Sequence, residues 1–210
     1  VFSMDGDIAP LDKLYELGKE YNALLMVDDA HSTGVLGNGR GTAHHFGLTD
    51  VDVQLGTLSK ALGSVGGYVA GRKELIEYLA NYSRSFIFST ALSPADIGAA
   101  LEALTIVKNE PLVVEQLNEN TAYMANKLQS MGIECDDETP IFPIIVGDNE
   151  KALSLAYELE LRGIIITAIR PPTVSVGESR LRMTVTAAHS QEQLDYVANT
   201  LRDLLVDMNI

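Results

Sequence analysis

Only one cysteine, Cys135, occurs in 210 residues, and tryptophan is absent altogether. A single thiol excludes an internal disulfide framework and a thiolate metal cluster, and leaves Cys135 as a structural residue. Basic residues are scarce too: fifteen stand against twenty-nine acidic ones, a formal charge of -14. Such an imbalance argues against nucleic acid or an anionic membrane as the principal partner, although it permits a locally positive pocket. No apolar run approaches the roughly 20 residues that a membrane helix needs, and Val1-Phe2-Ser3-Met4-Asp5 lacks the positive and apolar regions of a signal peptide. A cytoplasmic setting is expected. The chain does not open on methionine, and a start inside a longer or processed gene product is expected as well. What is plentiful is apolar material, 46% of the residues with 21% charged, enough to build the core of one large domain or two small ones.

Periodicity along the chain divides it at about residue 110. In residues 1–110, Val1 to Met4 reads as a buried strand. Pro10 then opens a helix to about residue 22, with Leu11, Leu14, Tyr15 and Gly18 at helical spacing. Leu24-Leu25-Met26-Val27 is continuously apolar and ends in Asp28-Asp29-Ala30-His31, the pattern of a parallel strand covered on both faces. Strand, helix and strand predict a βαβ unit. Val51–Leu55 and Gly66–Ala70 read as further strands, Glu74–Tyr82 as a helix, and Ser93-Pro94 as the cap and first turn of a long one. In residues 111–210, Leu117, Met124, Leu128 and Met131 form a helical stripe. Ile141–Val146, Ile164–Thr167 and Arg180–Val185 have strand character. Ser190 with Gln193 makes a capping box for a last helix carrying Leu194, Val197, Leu201 and Leu204. An α/β region followed by a smaller, more antiparallel α+β region is expected.

Two constellations carry chemistry. Asp28-Asp29-Ala30-His31 falls beyond the carboxyl end of a strand, where open α/β sheets place ligands. A buried carboxylate there requires a cationic partner, and a protonated pyridine nitrogen would be one. A solvated turn is the plain alternative. A metal site is weaker, because His31 has no second histidine or cysteine at ligand spacing. The other constellation, Gly56-Thr57-Leu58-Ser59-Lys60-Ala61-Leu62-Gly63 with Gly66-Gly67 after it, follows another strand. A lysine buried in a glycine-rich turn is suited to bonding a carbonyl. The hydroxyls of Thr57 and Ser59 and the open backbone suit a phosphate, although the Walker order is absent. An acid, a histidine and a lysine on two strand ends match what pyridoxal phosphate needs: a carboxylate for the ring nitrogen and an amine for the aldehyde.

With Gly39-Arg40-Gly41 and Ser89-Thr90 added, these motifs resemble the α-oxoamine synthases. That family has the fold of type I pyridoxal-phosphate (PLP) enzymes and joins an amino acid to an acyl thioester with loss of carbon dioxide. Thr167-Ala168-Ile169-Arg170-Pro171-Pro172-Thr173-Val174, Arg180-Leu181-Arg182 and Thr186-Ala187-Ala188-His189 are similar to its biotin-pathway branch, which uses alanine and a pimeloyl thioester. A sibling branch, using glycine and acetyl-CoA, shares the earlier motifs only. The resemblance implies part of a PLP-binding large domain over 1–110, with a mostly parallel sheet between helices, and a small α+β domain over 111–210.

The resemblance also implies site residues. Lys60 would carry pyridoxal 5'-phosphate and act as general base, Asp28 would pair with the ring nitrogen, and His31 would bond the phenolic oxygen, with Ser3 at the same edge. Thr57 would bind the phosphate. Thr90 would reach the cofactor of a second subunit, making a homodimer. Arg182 would grip the amino acid carboxylate, for which a planar guanidinium is suited, and Arg170 would lie at the substrate entrance. No metal is implied. The family has a further N-terminal half, with a glycine-rich phosphate cup and a histidine stacked on the cofactor ring. Neither is found in these residues, so a partial site, and an inactive fragment as one outcome, is expected. The plainest rival is a generic αβα domain without cofactor.

Overall fold

A computed structural model describes all residues, Val1–Ile210. The chain forms two compact units: Val1 with Ile8–Val114, and Phe2–Asp7 with Glu115–Ile210.

In the first unit, α1 (Leu11–Glu20) is followed by β1 (Met26–Asp28), a short α2 (Thr42–His45) and β2 (Val53–Thr57). Strands β1 and β2 are parallel, with Met26 opposite Val53 and Asp28 opposite Leu55. The crossover unit is therefore β1-α2-β2. The predicted first strand, Val1–Met4, is absent: the amide of Phe2 donates to the Asp7 carbonyl and that of Gly6 to the Phe2 carbonyl, closing a turn with Gly6 at φ 81°. Glycine adopts this left-handed backbone at little cost, and here it overrides the β propensity of the flanking residues. Strand β3 (Gly67–Gly71) pairs with β2 in antiparallel fashion, Gly56 opposite Tyr68. The sheet, ordered β1-β2-β3, is thus mixed rather than mostly parallel.

Successive strand residues face opposite ways, and in β1 the two faces differ. Val27 is buried with Leu11 and Ala43 in a small core, whereas Met26 is 64% exposed. The expectation of cover on both faces fails for this strand within these residues. After α3 (Lys73–Tyr82) and α4 (Arg84–Ile87), Ser93 caps α5 (Pro94–Asn109), its hydroxyl accepting from the Asp96 amide. Phe86 and Phe88 lie open, at 69% and 77% exposure.

The second unit takes most of α6 (Pro111–Ser130), then β4 (Ile141–Gly147), α7 (Asn149–Glu160), β5 (Thr167–Ile169), β6 (Ser179–Thr184) and α8 (Gln191–Asp207). Its sheet is wholly antiparallel, ordered β4-β6-β5. Helices α6, α7 and α8 contribute Met124, Leu128, Leu155, Leu159, Leu194 and Leu201 to a core completed by Phe142, Ile144 and Leu181 from the strands. The capping box at Ser190 and Gln193 forms as expected. The β-branched run at Ile164 contributes a buried side chain, but the strand begins only at Thr167. In β6 the alternation of charge and apolarity does not translate into one wet face, because Arg180 is buried and paired with Asp5. No helix is long and apolar enough to cross a membrane.

Candidate functional site

The carboxyl ends of the parallel neighbours β1 and β2 lie at the same edge of the sheet, which puts Asp28 and Thr57 there together. The adjacent acids at the end of β1 have opposite fates. Asp29 is 3% exposed, and its carboxylate accepts from the Thr42 amide at 3.0 Å, at the first turn of α2. Gly41 permits that approach, since a Cβ there would come within 2.5 Å of the Asp29 carboxylate. Asp28 points to the open face, where Oδ1 accepts from the Ala30 amide at 2.9 Å. Burial was expected at Asp28 and is found at Asp29 instead, because strand alternation sends the two side chains to opposite faces. Asp29 holds the loop, and the Asp28 carboxylate is the exposed one of the two.

The loop after β1 is held by hydrogen bonds and by the buried side chain of Leu36. The amides of Ser32 and Thr33 donate to the Asp29 carbonyl, and the Thr42 hydroxyl donates to that of Ser32 at 2.8 Å. His31, half-buried, is carried at the head of this turn. Past it, Gly34 sits at φ 81°, and a Cβ added there would stand 2.8 Å from Cβ of Ala61. Ala61 is the residue after Lys60. The loop bearing Asp28 and His31 therefore touches the loop bearing the lysine.

The lysine loop is a tight turn. The Leu58 amide donates to the Gly66 carbonyl, the Ser64 amide to Leu58, and the Gly63 amide to Lys60. The Thr57 hydroxyl lies 2.7 Å from that of Ser59 and donates to the Gly66 carbonyl at 3.0 Å. Lys60 itself is exposed, contrary to the expected burial: its neighbours Ser59, Ala61 and Gly63 are small and exposed too, and cannot cover a long side chain. Thr90 is also exposed, between α4 and α5.

In the second unit the structure joins Ser3 to Arg182: the guanidinium Nε of Arg182 donates to the Ser3 carbonyl. Burial, with no carboxylate paired to it, pushes Arg182 below the ordinary arginine value. A guanidinium in that condition favours an incoming anion. Two residues away, Arg180 is held by Asp5 and by the Glu178 carbonyl, which makes it a clamp on the Phe2–Asp7 segment. Arg170 is exposed just past β5, and its carbonyl accepts from the Thr173 amide. The roles of Asp29, Arg180 and the contact between Gly34 and Ala61 were not legible from spacing. A glycine three residues past His31 was the only local signal for the last of them.

The donor set fits pyridoxal phosphate on its chemistry: an exposed carboxylate, an amine and a pair of hydroxyls on one turn, brought together by touching loops. Comparison with known proteins points the same way. The model of the family aminotransferase class I and II matches residues 1–201. The 8-amino-7-oxononanoate synthase of Lysinibacillus sphaericus is 51% identical over 213 residues, covering 100% of this chain and 55% of its own length. Among solved structures, a serine palmitoyltransferase from S. paucimobilis with PLP and myriocin bound superposes with TM-score 0.95 at 29% identity, covering 100% of this chain and 54% of that one. An 8-amino-7-oxononanoate synthase from Francisella tularensis gives TM-score 0.86 at 29% identity, covering 100% and 62%. The chain spans about half the length of the curated relatives it matches. A family match over nearly every residue, and a shared fold at this level, leave one assignment: the chain belongs to the aminotransferase class I and II family.

Proposed function

We propose that this chain supplies the lysine-bearing part of an 8-amino-7-oxononanoate synthase, which condenses L-alanine with a pimeloyl thioester, releasing the thiol and carbon dioxide, in biotin biosynthesis. The contact between Gly34 and Ala61 carries the reading, because it sets the acid-and-histidine loop against the lysine loop at one sheet edge. The likeness to 8-amino-7-oxononanoate synthases over the whole chain supports the choice of reaction.

When bound, pyridoxal phosphate supplies an electron sink for the pair left on the amino acid's α-carbon. Lys60 would hold the cofactor through its amine, and that amine, once free, would take the α-proton of the bound amino acid. Asp28 would pair through its exposed carboxylate with the cofactor's ring nitrogen and favour its protonated form. His31 donates to the phenolic oxygen, and Ser3 lines the cofactor. Thr57 holds the phosphate, with Ser59 able to take over its hydroxyl contact. Arg182 binds the substrate carboxylate, and Arg170 lies at the substrate entrance. Thr90 reaches the phosphate of a second subunit in a cytoplasmic homodimer. The open apolar side chains of Phe86, Ile87 and Phe88, just before Ser89-Thr90, are of the kind that marks a protein interface.

The test uses the complete gene product with added cofactor. Visible absorbance of the bound cofactor should appear in the parent and vanish in Lys60→Ala. Turnover should be seen with alanine and pimeloyl-CoA, and not with glycine and acetyl-CoA. Absorbance that survives Lys60→Ala overturns the lysine's role, and turnover with the second substrate pair alone reassigns the reaction to the sibling branch that uses glycine and acetyl-CoA.

A further inference from the structure

Tyr68 has no part in the chemistry proposed above, and its ring is seated in a way that only a glycine partner allows. It stands opposite Gly56 in the β2-β3 ladder, and a Cβ on Gly56 would come within 2.7 Å of the ring's Cζ and hydroxyl. The ring therefore lies flat across the strand. It reaches past the sheet edge to Thr33, where the two hydroxyls stand 2.7 Å apart. Thr33 is 8% exposed and its backbone is fixed twice, by its amide to the Asp29 carbonyl at 2.8 Å and by a bridge to Arg40. A hydroxyl pair this short at a part-buried site is an effective tether. It joins β3 to the middle of the loop that carries His31 two residues earlier.

We propose that Tyr68 is a positioning residue: through Thr33 it holds the His31 loop in the orientation in which the histidine meets its ligand. This rests on the reading of His31 as a cofactor-binding residue. The same geometry gives Gly56 a purpose apart from any phosphate, namely to leave room for the ring. Asp29, Ser32 and Thr42 hold the base of the loop, and Gly34 rests against Ala61 further along. The hydrogen bond between Tyr68 and Thr33 links this loop to β3, so its loss should loosen the loop while leaving the base folded.

The experiment compares Tyr68→Phe, Thr33→Val and the double variant in the complete gene product. Without cofactor, amide hydrogen exchange of Thr33 to Leu36 should quicken in Tyr68→Phe, while the β2 amides keep their protection. With cofactor, the midpoint of the pH titration of its visible absorbance should move in Tyr68→Phe, because His31 no longer meets the phenolic oxygen squarely. Thr33→Val should give the same shift, and the double variant should go no further than either single one. Gly56→Ala, which displaces the ring by a different route, should reproduce the Tyr68→Phe spectrum. Unchanged loop exchange in Tyr68→Phe overturns the proposal, as do additive effects of the two single variants or an unmoved titration. If instead the parent shows no lysine-dependent absorbance, the cofactor reading fails, while the exchange data still decide the tether.

Discussion

Replacing Gly34 with alanine probes the contact that brings the two candidate loops together, and its cost has two separable parts. The residue sits at φ 81°. A side chain in left-handed backbone costs about 1–2 kcal/mol. The new methyl would also lie 2.8 Å from Cβ of Ala61. That is well inside the ~3.5–4.0 Å at which carbon atoms pack favourably, and overpacking of this kind costs about 1–3 kcal/mol. Together they come to ~2–5 kcal/mol, a sizeable share of the ~5–15 kcal/mol that holds a typical domain folded. Ala61→Gly removes the atom that is struck and leaves the backbone cost untouched. Urea unfolding of the parent, both single variants and the double variant yields the coupling. Gly34→Ala should cost at least about 1 kcal/mol less when residue 61 is glycine, the part owed to the collision. An equal cost in both backgrounds would refute the contact, and with it the adjacency on which the functional reading depends.

Leu181 of β6 is fully buried against the three helices of the second unit, and Leu181→Ala should lower unfolding stability by about 2–5 kcal/mol in a denaturant titration. A loss under about 1 kcal/mol would mean that the core is not packed around it. The cluster of Asp195, Lys127 and Tyr123 predicts a pH dependence. Lys127 lies 2.7 Å from the Asp195 carboxylate and the Tyr123 hydroxyl donates to it at 2.8 Å. These bonds, that from Lys127 foremost, hold Asp195 below the ordinary aspartate value, and the same carboxylate, foremost, raises Lys127. A depressed acid contributes stability that is complete above its unfolded value, roughly pH 3.9, and is lost as pH falls through the lower folded one. A raised lysine contributes stability that is complete below its unfolded value, roughly pH 10.4, and is lost as pH rises through the folded one. Asp195→Asn should flatten both limbs of a stability profile, and limbs of unchanged slope would contradict the pairing.

Much of the architecture was readable because it rests on local signals. Ser93-Pro94 and Ser190 with Gln193 mark helix starts through hydrogen bonds made within one turn, and both caps form. The strand ending at Asp28 and the one ending just before the lysine loop announce themselves by apolar runs bounded by polar residues and glycines. The first strand misled for a physical reason: Val1-Phe2-Ser3-Met4 has the composition of a buried strand, but Gly6 turns the backbone round before a partner can be reached. In β6, Arg180 looked like the polar side of an alternating strand. A carboxylate from far away in sequence, Asp5, neutralises it and lets it be buried.

The sequence by itself determined the element types, the antiparallel character of the second half, and the residue types at the ends of β1 and β2, since each depends on periodicity or on groups a few residues apart. It also contained the motifs that resemble the α-oxoamine synthases. Only the tertiary structure decided which of two neighbouring aspartates faces outward, that Lys60 is exposed, that Gly34 lies against Ala61, and that Tyr68 crosses Gly56 to reach Thr33. Each of these depends on which atoms are packed opposite one another across a sheet or between loops. Such distances are set by the whole fold and leave little trace in the order of the residues that meet.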